Sequence, residues 1–132
     1  MKLTYRQIEF LTSSEVVQKV LDKATGKFGL HLYRVMSKVQ QEAEPFRKQF
    51  KKIVDEYGKK DENGNIKINT IGNQQSISVI AGKEIEASVK MEELRNEEVE
   101  INAEPVVFNV DDNSNISASE LLALSIILKE ES

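Results

Sequence analysis

One stretch, Leu30 to Tyr57, constrains the fold of this chain more than any other, because it carries apolar residues at helical spacing along its length. Its first half has a broad apolar surface and is expected to be enclosed, with the residues Leu30, Tyr33, Val35, Met36, Val39 and Ala43. Its second half has a narrower apolar side, with the residues Phe46, Phe50, Ile53, Val54 and Tyr57. This pattern predicts one long helix that passes from an enclosed half to an amphipathic half.

Two residues limit this helix. Pro45 lacks a backbone N–H and clashes with the preceding turn, so we expect a kink or a restart near Glu44 within one bent helix. Gly58 is expected to end the helix, because glycine adopts the left-handed conformation in which many helices terminate.

The side of this helix opposite the apolar residues is basic. We call it the basic face, and it comprises Arg47, Lys48, Lys51 and Lys52. No aromatic residues are interleaved on this side, and the chain has a net charge of −4. We therefore expect a solvated surface rather than a nucleic-acid site.

Charge is unevenly distributed along the chain. Residues 27–60 hold nine Lys and Arg against four Asp and Glu, whereas residues 83–104 hold eight Glu against three Lys and Arg. Two interpretations stay open: the basic helix and the acidic segment face each other, or they serve two different partners.

The N-terminal region carries clear helix-start signals. Thr4 followed by Gln7 has the spacing of a capping box, so a helix should begin at Tyr5. The polar run Thr12 to Glu15 repeats the signal, which predicts a short break, although serines bonded back to helix carbonyls are the alternative. The connection Ala24 to Gly29 contains two glycines and favours an antiparallel helical hairpin with the long helix.

The middle of the chain predicts a β-hairpin. Ile66 to Asn69 and Ser76 to Ile80 alternate apolar and polar residues, as half-buried strands do. The loop between them should be centred on Gly72 and Asn73, since both residue types favour tight turns.

Further elements follow the hairpin. Gly82 to Asn96 has the composition of a helix, and Val99 to Val110 is rich in the β-branched residues that favour strands. Asp111 to Asn115 is expected to be a loop.

A last helix should open with a second capping box, formed by Ser117 and Glu120. Apolar residues surround most of its circumference: Leu121, Leu122, Leu124, Ile126, Ile127 and Leu128. A helix of this kind is buried or docks on something. We expect one part to close the core and another part, with Leu124, Ile126, Ile127 and Leu128 as candidates, to meet a partner or a second copy. Its last turn, at Glu130 and Glu131, should fray unless a partner holds it, because both carboxylates lie at the negative end of the helix dipole.

No arrangement of residues indicates catalysis or metal binding. The chain has no cysteine and a single histidine, His31, which excludes thiolate and multi-histidine sites. Asp61 to Asn65 and Asp111 to Asn115 begin like calcium loops but lack the required glycine and glutamate, so we interpret them as Asx-rich turns. We expect a protein that is not an enzyme and needs no metal or other cofactor.

Several short motifs resemble those of a family of small uncharacterised proteins encoded by tailed bacteriophages. They are Lys2-Leu3-Thr4 with Gln7-Ile8, Tyr57-Gly58, Asp61-Glu62-Asn63-Gly64, Glu98-Val99-Glu100-Ile101, and the run Ser117 to Leu124. The resemblance implies a phage protein in the host cytoplasm or the virion, and it implies no site residues.

These observations together predict one α+β domain over residues 1–132, with a helical hairpin at 4–58 and a mixed strand and helix part at 62–132. We expect no membrane span and no secretory signal at the start of the sequence. The expected function is a non-enzymatic bacteriophage protein that binds another phage or host protein, as an accessory or host-directed factor. The alternative is a virion or assembly component, such as a connector or tail accessory protein.

Overall fold

The computed structural model describes residues 1–72, 74–108 and 113–129, so the predictions made for Asn73, Val110, Asp111, Asp112, Glu130 and Glu131 lie outside the described residues. The elements, in chain order, are β1 (Lys2–Thr4), α1 (Tyr5–Ser13), α2 (Glu15–Lys23), α3 (Gly26–Tyr57), β2 (Ile68–Ile71), β3 (Gln74–Ile77), α4 (Glu84–Arg95), β4 (Glu98–Glu100) and α5 (Ala118–Ala123). The predicted α+β class is confirmed.

The first two helices begin where the sequence predicted. Thr4 Oγ1 accepts a hydrogen bond from the Gln7 backbone N–H at 3.2 Å, and Gln7 Oε1 accepts one from the Thr4 N–H at 2.9 Å. The predicted break is also confirmed, because Ser14 ends α1 and caps α2 by accepting from the Val17 N–H at 3.3 Å. The back-bonding named in the alternative also occurs, since the Ser13 hydroxyl donates to the Glu9 carbonyl at 2.6 Å.

Helix α3 is longer than predicted and continuous. It begins at Gly26 rather than Leu30, and only Ala24 and Thr25 separate it from α2, a connection as short as a helical hairpin requires. Gly29 is needed here, because a Cβ at this position would lie 2.7 Å from the Ala24 carbonyl oxygen. Pro45 lies inside α3 without a restart.

Gly58 does follow the end of α3, but the predicted reason is wrong. The glycines with positive φ are Gly26, Gly64, Gly72 and Gly82, so Gly58 is not left-handed. Glycine is needed at this position for close packing instead, because a Cβ would lie 2.6 Å from the Val54 carbonyl oxygen and 2.9 Å from the Ile66 side chain.

The chain forms two compact units, and the boundaries differ from the predicted division at residues 58 and 62. The first unit comprises Met1–Glu44 and Glu98–Ser132, and the second comprises Pro45–Glu97. Both boundaries follow elements of the sequence: one falls at the proline of α3 and the other immediately before β4.

The first unit contains the hydrophobic core, which gathers side chains from α1, α2, the first half of α3 and the C-terminal segment. Its fully buried large side chains are Ile8, Leu11, Val17, Val20, Phe28, Leu32, Val35, Val39, Ile101, Val106, Leu124 and Ile127. Phe28 and Phe108 meet edge to face with centroids 5.2 Å apart. Leu30 and Tyr33, expected to be enclosed, are 54% and 68% exposed, because they lie on the side of α3 opposite this core.

The first unit contains a small sheet, and its N-terminal strand, β1, was not predicted. β1 pairs antiparallel with β4, with Leu3 opposite Val99. Leu3 is buried, so the strand that leads into the capping box contributes one side chain to the core. The paired residues, Leu3 and Val99, are far apart in the sequence, so no local pattern predicts this strand.

The C-terminal helix is shorter than predicted. The capping box of Ser117 and Glu120 is confirmed, with the Glu120 N–H donating to Ser117 Oγ at 3.2 Å. Helix α5 ends at Ala123, and residues 124–127 form turns instead. Tertiary pairing with Val106 prevails over helix propensity: the Val106 N–H donates to the Ile127 carbonyl at 2.8 Å, and Leu128 lies parallel to Val106.

The second unit contains the end of α3, the predicted β-hairpin and α4. β2 and β3 pair antiparallel with Ile68 opposite Ile77, and Gly72 takes a φ of 61° in the turn. The segment after α3 extends this ribbon, because the Lys59 N–H donates to the Ser78 carbonyl at 2.7 Å. The buried side chains described in this unit are Phe46, Tyr57 and Ala87.

Candidate functional site

The four residues predicted to meet a partner lie in the first unit. Leu124 and Ile127 are 0% exposed, and Ile126 and Leu128 are partly buried against the same core. Because the chain turns after Ala123, this segment inserts its apolar side chains into the core and presents no continuous apolar helix face. We assign these four residues to core packing. The exposed apolar side chain of α5 is instead Leu122, at 73%.

A buried asparagine fixes the start of α3. Asn113 is 0% exposed; its Oδ1 accepts from the Thr25 backbone N–H at 2.8 Å, and its Nδ2 donates to the Thr25 carbonyl at 3.3 Å. The amide therefore bonds both backbone polar groups of Thr25, in the connection between α2 and α3. The sequence placed Asn113 in an Asx-rich loop, and only the fold reveals this role.

An ion pair joins α2 to α5. Lys23 Nζ lies 2.7 Å from Glu120 Oε1, and the same oxygen accepts from the Ser117 backbone N–H at 2.9 Å. The hydrogen bond from Lys23 and then the bond from Ser117 lower the pKa of Glu120 from 4.5 to about 2. The capping box is thus also a charged contact between two helices.

The basic face of α3 is exposed, as all four side chains point to solvent. Within the part of the chain that the structure describes, no ion pair involves any of the four. The rings of Phe46 and Phe50 contact each other on the other side of the helix, tilted by 37° with centroids 5.8 Å apart, so neither ring lies on the basic face for base stacking. That it binds no nucleic acid stays a prediction.

Helix α4 is held in the second unit by one of its sides. Ala87 is buried, and Lys90 and Arg95 turn toward aromatic rings of α3. Lys90 Nζ lies 5.7 Å from the centre of the Tyr57 ring, and the Arg95 guanidinium lies 5.5 Å from the centre of the Phe50 ring. Tyr57 and then Glu56, at 4.0 Å, raise the pKa of Lys90. These contacts define which side of α4 faces inward.

The opposite side of α4 carries apolar residues that this packing does not use. Ile85 is 82% exposed and Val89 is 49% exposed. They are four residues apart and therefore lie on one side of the helix, about half a turn away from Ala87. We call this side the outer face of α4, and it comprises Ile85, Ser88, Val89, Glu92, Glu93 and Asn96.

Carboxylates dominate the C-terminal half of the outer face. A shallow cleft of about 570 Å³ is lined there by Ser88, Val89, Glu92, Glu93, Asn96 and Glu97. Arg95 lies 3.9 Å from Glu92 at the edge of this region. The outer face thus combines an apolar pair at one end with negative charge at the other.

The sequence contained a signal for this surface that composition alone did not reveal. Ile85 and Val89 share one side of a helical wheel, whereas Ala87, Met91 and Leu94 share the other. Treated as one scattered set, these residues look like ordinary core contacts. When their angles around the helix axis are considered, these residues form two apolar sides, and the second unit covers only one of them.

A second cleft lies in the first unit, and several of the polar groups that line it are already hydrogen-bonded within the chain. It encloses about 670 Å³ and is lined by Met1, His31, Arg34, Val35, Lys38 and residues 100–104. Lys38 Nζ donates to the Asn102 carbonyl, and the Met1 ammonium donates to the Ile101 carbonyl at 2.8 Å. Among the described residues, no hydrogen bond joins His31 to a hydroxyl or a carboxylate, so this cleft contains no paired nucleophile and base.

The first Asx-rich segment is a turn, as predicted. Asp61 Oδ1 accepts from the Asn63 N–H at 2.8 Å and from the Asn65 N–H at 3.0 Å. Across residues 1–72, 74–108 and 113–129, no three His, Cys, Asp or Glu side chains cluster as metal ligands would. The carboxylate of Asp61 is occupied by backbone amides.

No known protein family, no curated protein and no solved structure matches this chain. Its function therefore has to be inferred from its own surfaces. Over the described residues, none of the helices has the length and apolar character needed to cross a membrane.

Proposed function

We propose that this chain is a non-enzymatic protein that works by binding another protein, and that the outer face of α4 is its docking surface. The observation that carries the proposal is the exposure of Ile85, at 82%, beside the half-exposed Val89 one turn away. The sequence predicted protein binding through the C-terminal segment. The proposal keeps that function and moves the surface to α4.

The energetic argument starts from the apolar pair. Burying an isoleucine or valine side chain contributes about 1.5–3 kcal/mol relative to leaving it in water. α4 gains nothing of this kind from Ile85, since its inward contacts are made by Ala87, Lys90 and Arg95. Contiguous exposed apolar surface marks protein interaction sites more often than single exposed apolar residues do.

The carboxylates of the outer face determine which charge a partner should carry. Glu92 and Glu93 follow the apolar pair by one turn, so a partner that covers Ile85 and Val89 brings other groups next to negative charge. A partner with positive charge at that position is favoured, and an acidic one is repelled. The surface therefore selects for both apolar contact and charge.

Site-specific photo-cross-linking in bacterial host cells tests the docking surface. p-Benzoylphenylalanine is placed at position 85 in one version of the full chain and at position 122 in the control, since Leu122 is similarly exposed but lies on α5. We expect ultraviolet light to give a discrete adduct from position 85, to give none from position 122, and to give none from position 85 when Val89→Lys is added. Equal adducts from both positions, or none from position 85, would contradict the proposal.

The bacteriophage setting is part of the same proposal and is supported by the short sequence motifs. We expect the protein to be present in infected cells and absent from purified particles, as an accessory or host-directed factor would be. Mass spectrometry of both samples tests this. Stoichiometric presence in the particles would assign the chain to virion structure or assembly instead.

A further inference from the structure

We propose that the second cleft, in the first unit, binds a small zwitterion of the class of short peptides with free ends. Two opposite charges line this one cleft, Arg34 on one wall and Glu104 on the other. Neither side chain has an ion-pair partner among the described residues. The cleft lies in the first unit and the proposed docking surface lies in the second, so the two sites are independent.

Helix α3 forms one wall of the cleft with His31, Arg34 and Lys38. At about 100° per residue, these three side chains leave the helix within about 60° of one another. Lys38 is already engaged, because its Nζ donates to the Asn102 carbonyl on the other wall. Within the part of the chain that the structure describes, the side chains of His31 and Arg34 make no hydrogen bond and no ion pair. This wall therefore presents a guanidinium and an imidazole to a ligand.

The segment from Glu100 to Glu104 forms the other wall. The Met1 ammonium holds this segment by donating to the Ile101 carbonyl at 2.8 Å and to the Ala103 carbonyl at 3.3 Å. The same ammonium lies 3.3 Å from Glu100 Oε1, so the charge of Glu100 is compensated. The Glu104 side chain is exposed and has no hydrogen-bond or ion-pair partner among the described residues. Glu104 is therefore the carboxylate of this cleft that a ligand meets.

The cleft also has an apolar lining. Val35 and Ile101 are each 1% exposed, Ala103 is partly buried against the core, and all three line the cleft. The volume of about 670 Å³ is within the range of clefts that hold small organic ligands. A ligand that joins its two charges through an apolar part matches this lining.

Arg34 and Glu104 do not neutralise each other. An ion pair between them would be the simplest use of two opposite charges in one cleft, but the two side chains form none. Clefts with low-dielectric walls concentrate the field of the charges that line them. Both charges are consequently available to a ligand that spans the space between them.

Charge selects a zwitterion over a simple ion. Arg34 can hold a carboxylate through two parallel N–H donors, which is a strong and directional contact. A ligand that is only an anion gains this contact but is repelled by Glu104, and a ligand that is only a cation is repelled by Arg34, Lys38 and the Met1 ammonium. Such repulsion discriminates between ligands, as attraction does. A zwitterion places its carboxylate at Arg34 and His31 and its ammonium at Glu104.

Titration of the full chain, followed by amide proton–nitrogen correlation spectra, tests the site. The probe is the tripeptide Gly-Leu-Gly with both ends free. Its matched controls are the N-acetylated form, which keeps only the negative end, and the C-terminal amide, which keeps only the positive end. We expect saturable shifts at the cleft residues with a dissociation constant below about 1 mM. Each blocked form should bind at least about tenfold more weakly, which is about 1.4 kcal/mol.

Two variants identify which wall holds which end of the peptide. Arg34→Gln should weaken binding at least about tenfold and remove most of the difference between the free peptide and its amide, because the carboxylate has lost its partner. Glu104→Gln should remove most of the difference between the free peptide and the acetylated form, because the ammonium has lost its partner. Arg47→Gln and Glu62→Gln are the controls, since both residues are exposed in the second unit, and they should leave binding unchanged. The same spectra confirm that each variant is folded.

The contrary outcomes are distinct from one another. A lack of saturable shifts up to about 10 mM peptide, or shifts mainly outside the cleft, would refute the site. An acetylated peptide that binds as tightly as the free one would indicate a simple anion site and would refute the zwitterion. Equal losses in Arg34→Gln and Arg47→Gln would mean that net charge alone governs binding, which also overturns the inference. The cross-link from position 85 tests the docking surface separately, so either proposal can fail while the other stands.

Discussion

Replacing Asn113 by alanine removes the one buried polar side chain described in this protein, and the structure fixes what that should cost. The amide accepts a hydrogen bond from the Thr25 N–H at 2.8 Å and donates one to the Thr25 carbonyl at 3.3 Å. Each such bond contributes about 0.5–1.5 kcal/mol net, and a desolvated backbone N–H that loses its acceptor adds about 1 kcal/mol. The Thr25 carbonyl keeps a second donor, the Gly29 N–H at 3.1 Å, which limits the loss on that side. We therefore expect Asn113→Ala to lower the free energy of unfolding by about 2–4 kcal/mol.

Urea unfolding followed by circular dichroism measures this loss. With a slope of about 2 kcal/mol per molar urea, the midpoint should fall by about 1–2 M. Asn115→Ala is the matched control, since Asn115 lies in the same loop and is exposed, and its midpoint should not move. Asn113→Asp keeps the acceptor and loses the donor, so it should fall between the two. A midpoint for Asn113→Ala equal to that of Asn115→Ala would refute the claim that this amide fixes the connection between α2 and α3.

The remaining predictions concern capping, pH and packing, and all are read from unfolding midpoints. Thr4→Ala and Ser117→Ala should each cost about 0.5–2 kcal/mol, because each removes the acceptor of a capping box; unchanged midpoints for both would contradict the helix starts. Because the pKa of Glu120 is lowered from 4.5 to about 2 in the folded protein, its contribution is complete above pH 4.5 and is lost as the pH falls toward 2. Glu120→Gln should remove this part of the pH dependence, and parallel pH profiles for the two proteins would count against it. Gly58→Ala should cost about 1–3 kcal/mol, since its Cβ would lie 2.6 Å from the Val54 carbonyl oxygen; a neutral effect would mean that the backbone relaxes freely there.

Elements encoded by neighbouring residues were predictable. Both capping boxes, the break at Ser14 and the hairpin through Gly72 depend on contacts within a few residues, and the structure has all of them. A capping residue and its partner three positions later act before any tertiary contact forms. Local signals of this kind are independent of the rest of the fold.

Elements that depend on distant partners were not predictable. β1 exists because Leu3 pairs with Val99, and α5 ends early because Leu128 pairs with Val106. The residues around Leu124 have high helix propensity, but burial of this side chain and of Ile127 is achieved through turns. The candidate surface shows the same limit of prediction from sequence. Helical spacing separates two apolar sides of α4, but only tertiary packing decides which side is exposed to water.

The sequence left two interpretations of the charge pattern open. Within the second unit, the directions of the α4 cations bear on the choice between them. Lys90 and Arg95 are turned toward Tyr57 and Phe50, on the apolar side of α3. Two of the α4 carboxylates, Glu92 and Glu93, lie on its outer face. The basic face lies on the other side of α3, and among the described residues it makes no ion pair with these carboxylates.

The open question of whether the basic helix and the acidic segment face each other therefore narrows, for the described residues, to one ion pair between α3 and α4, that of Glu56 with Lys90. Two surfaces of opposite charge remain exposed on one unit, and only the outer face of α4 also presents apolar side chains. Charge without apolar contact contributes little at an exposed surface, because water and salt screen it. This difference is the reason that we propose the outer face, rather than the basic face, as the docking surface.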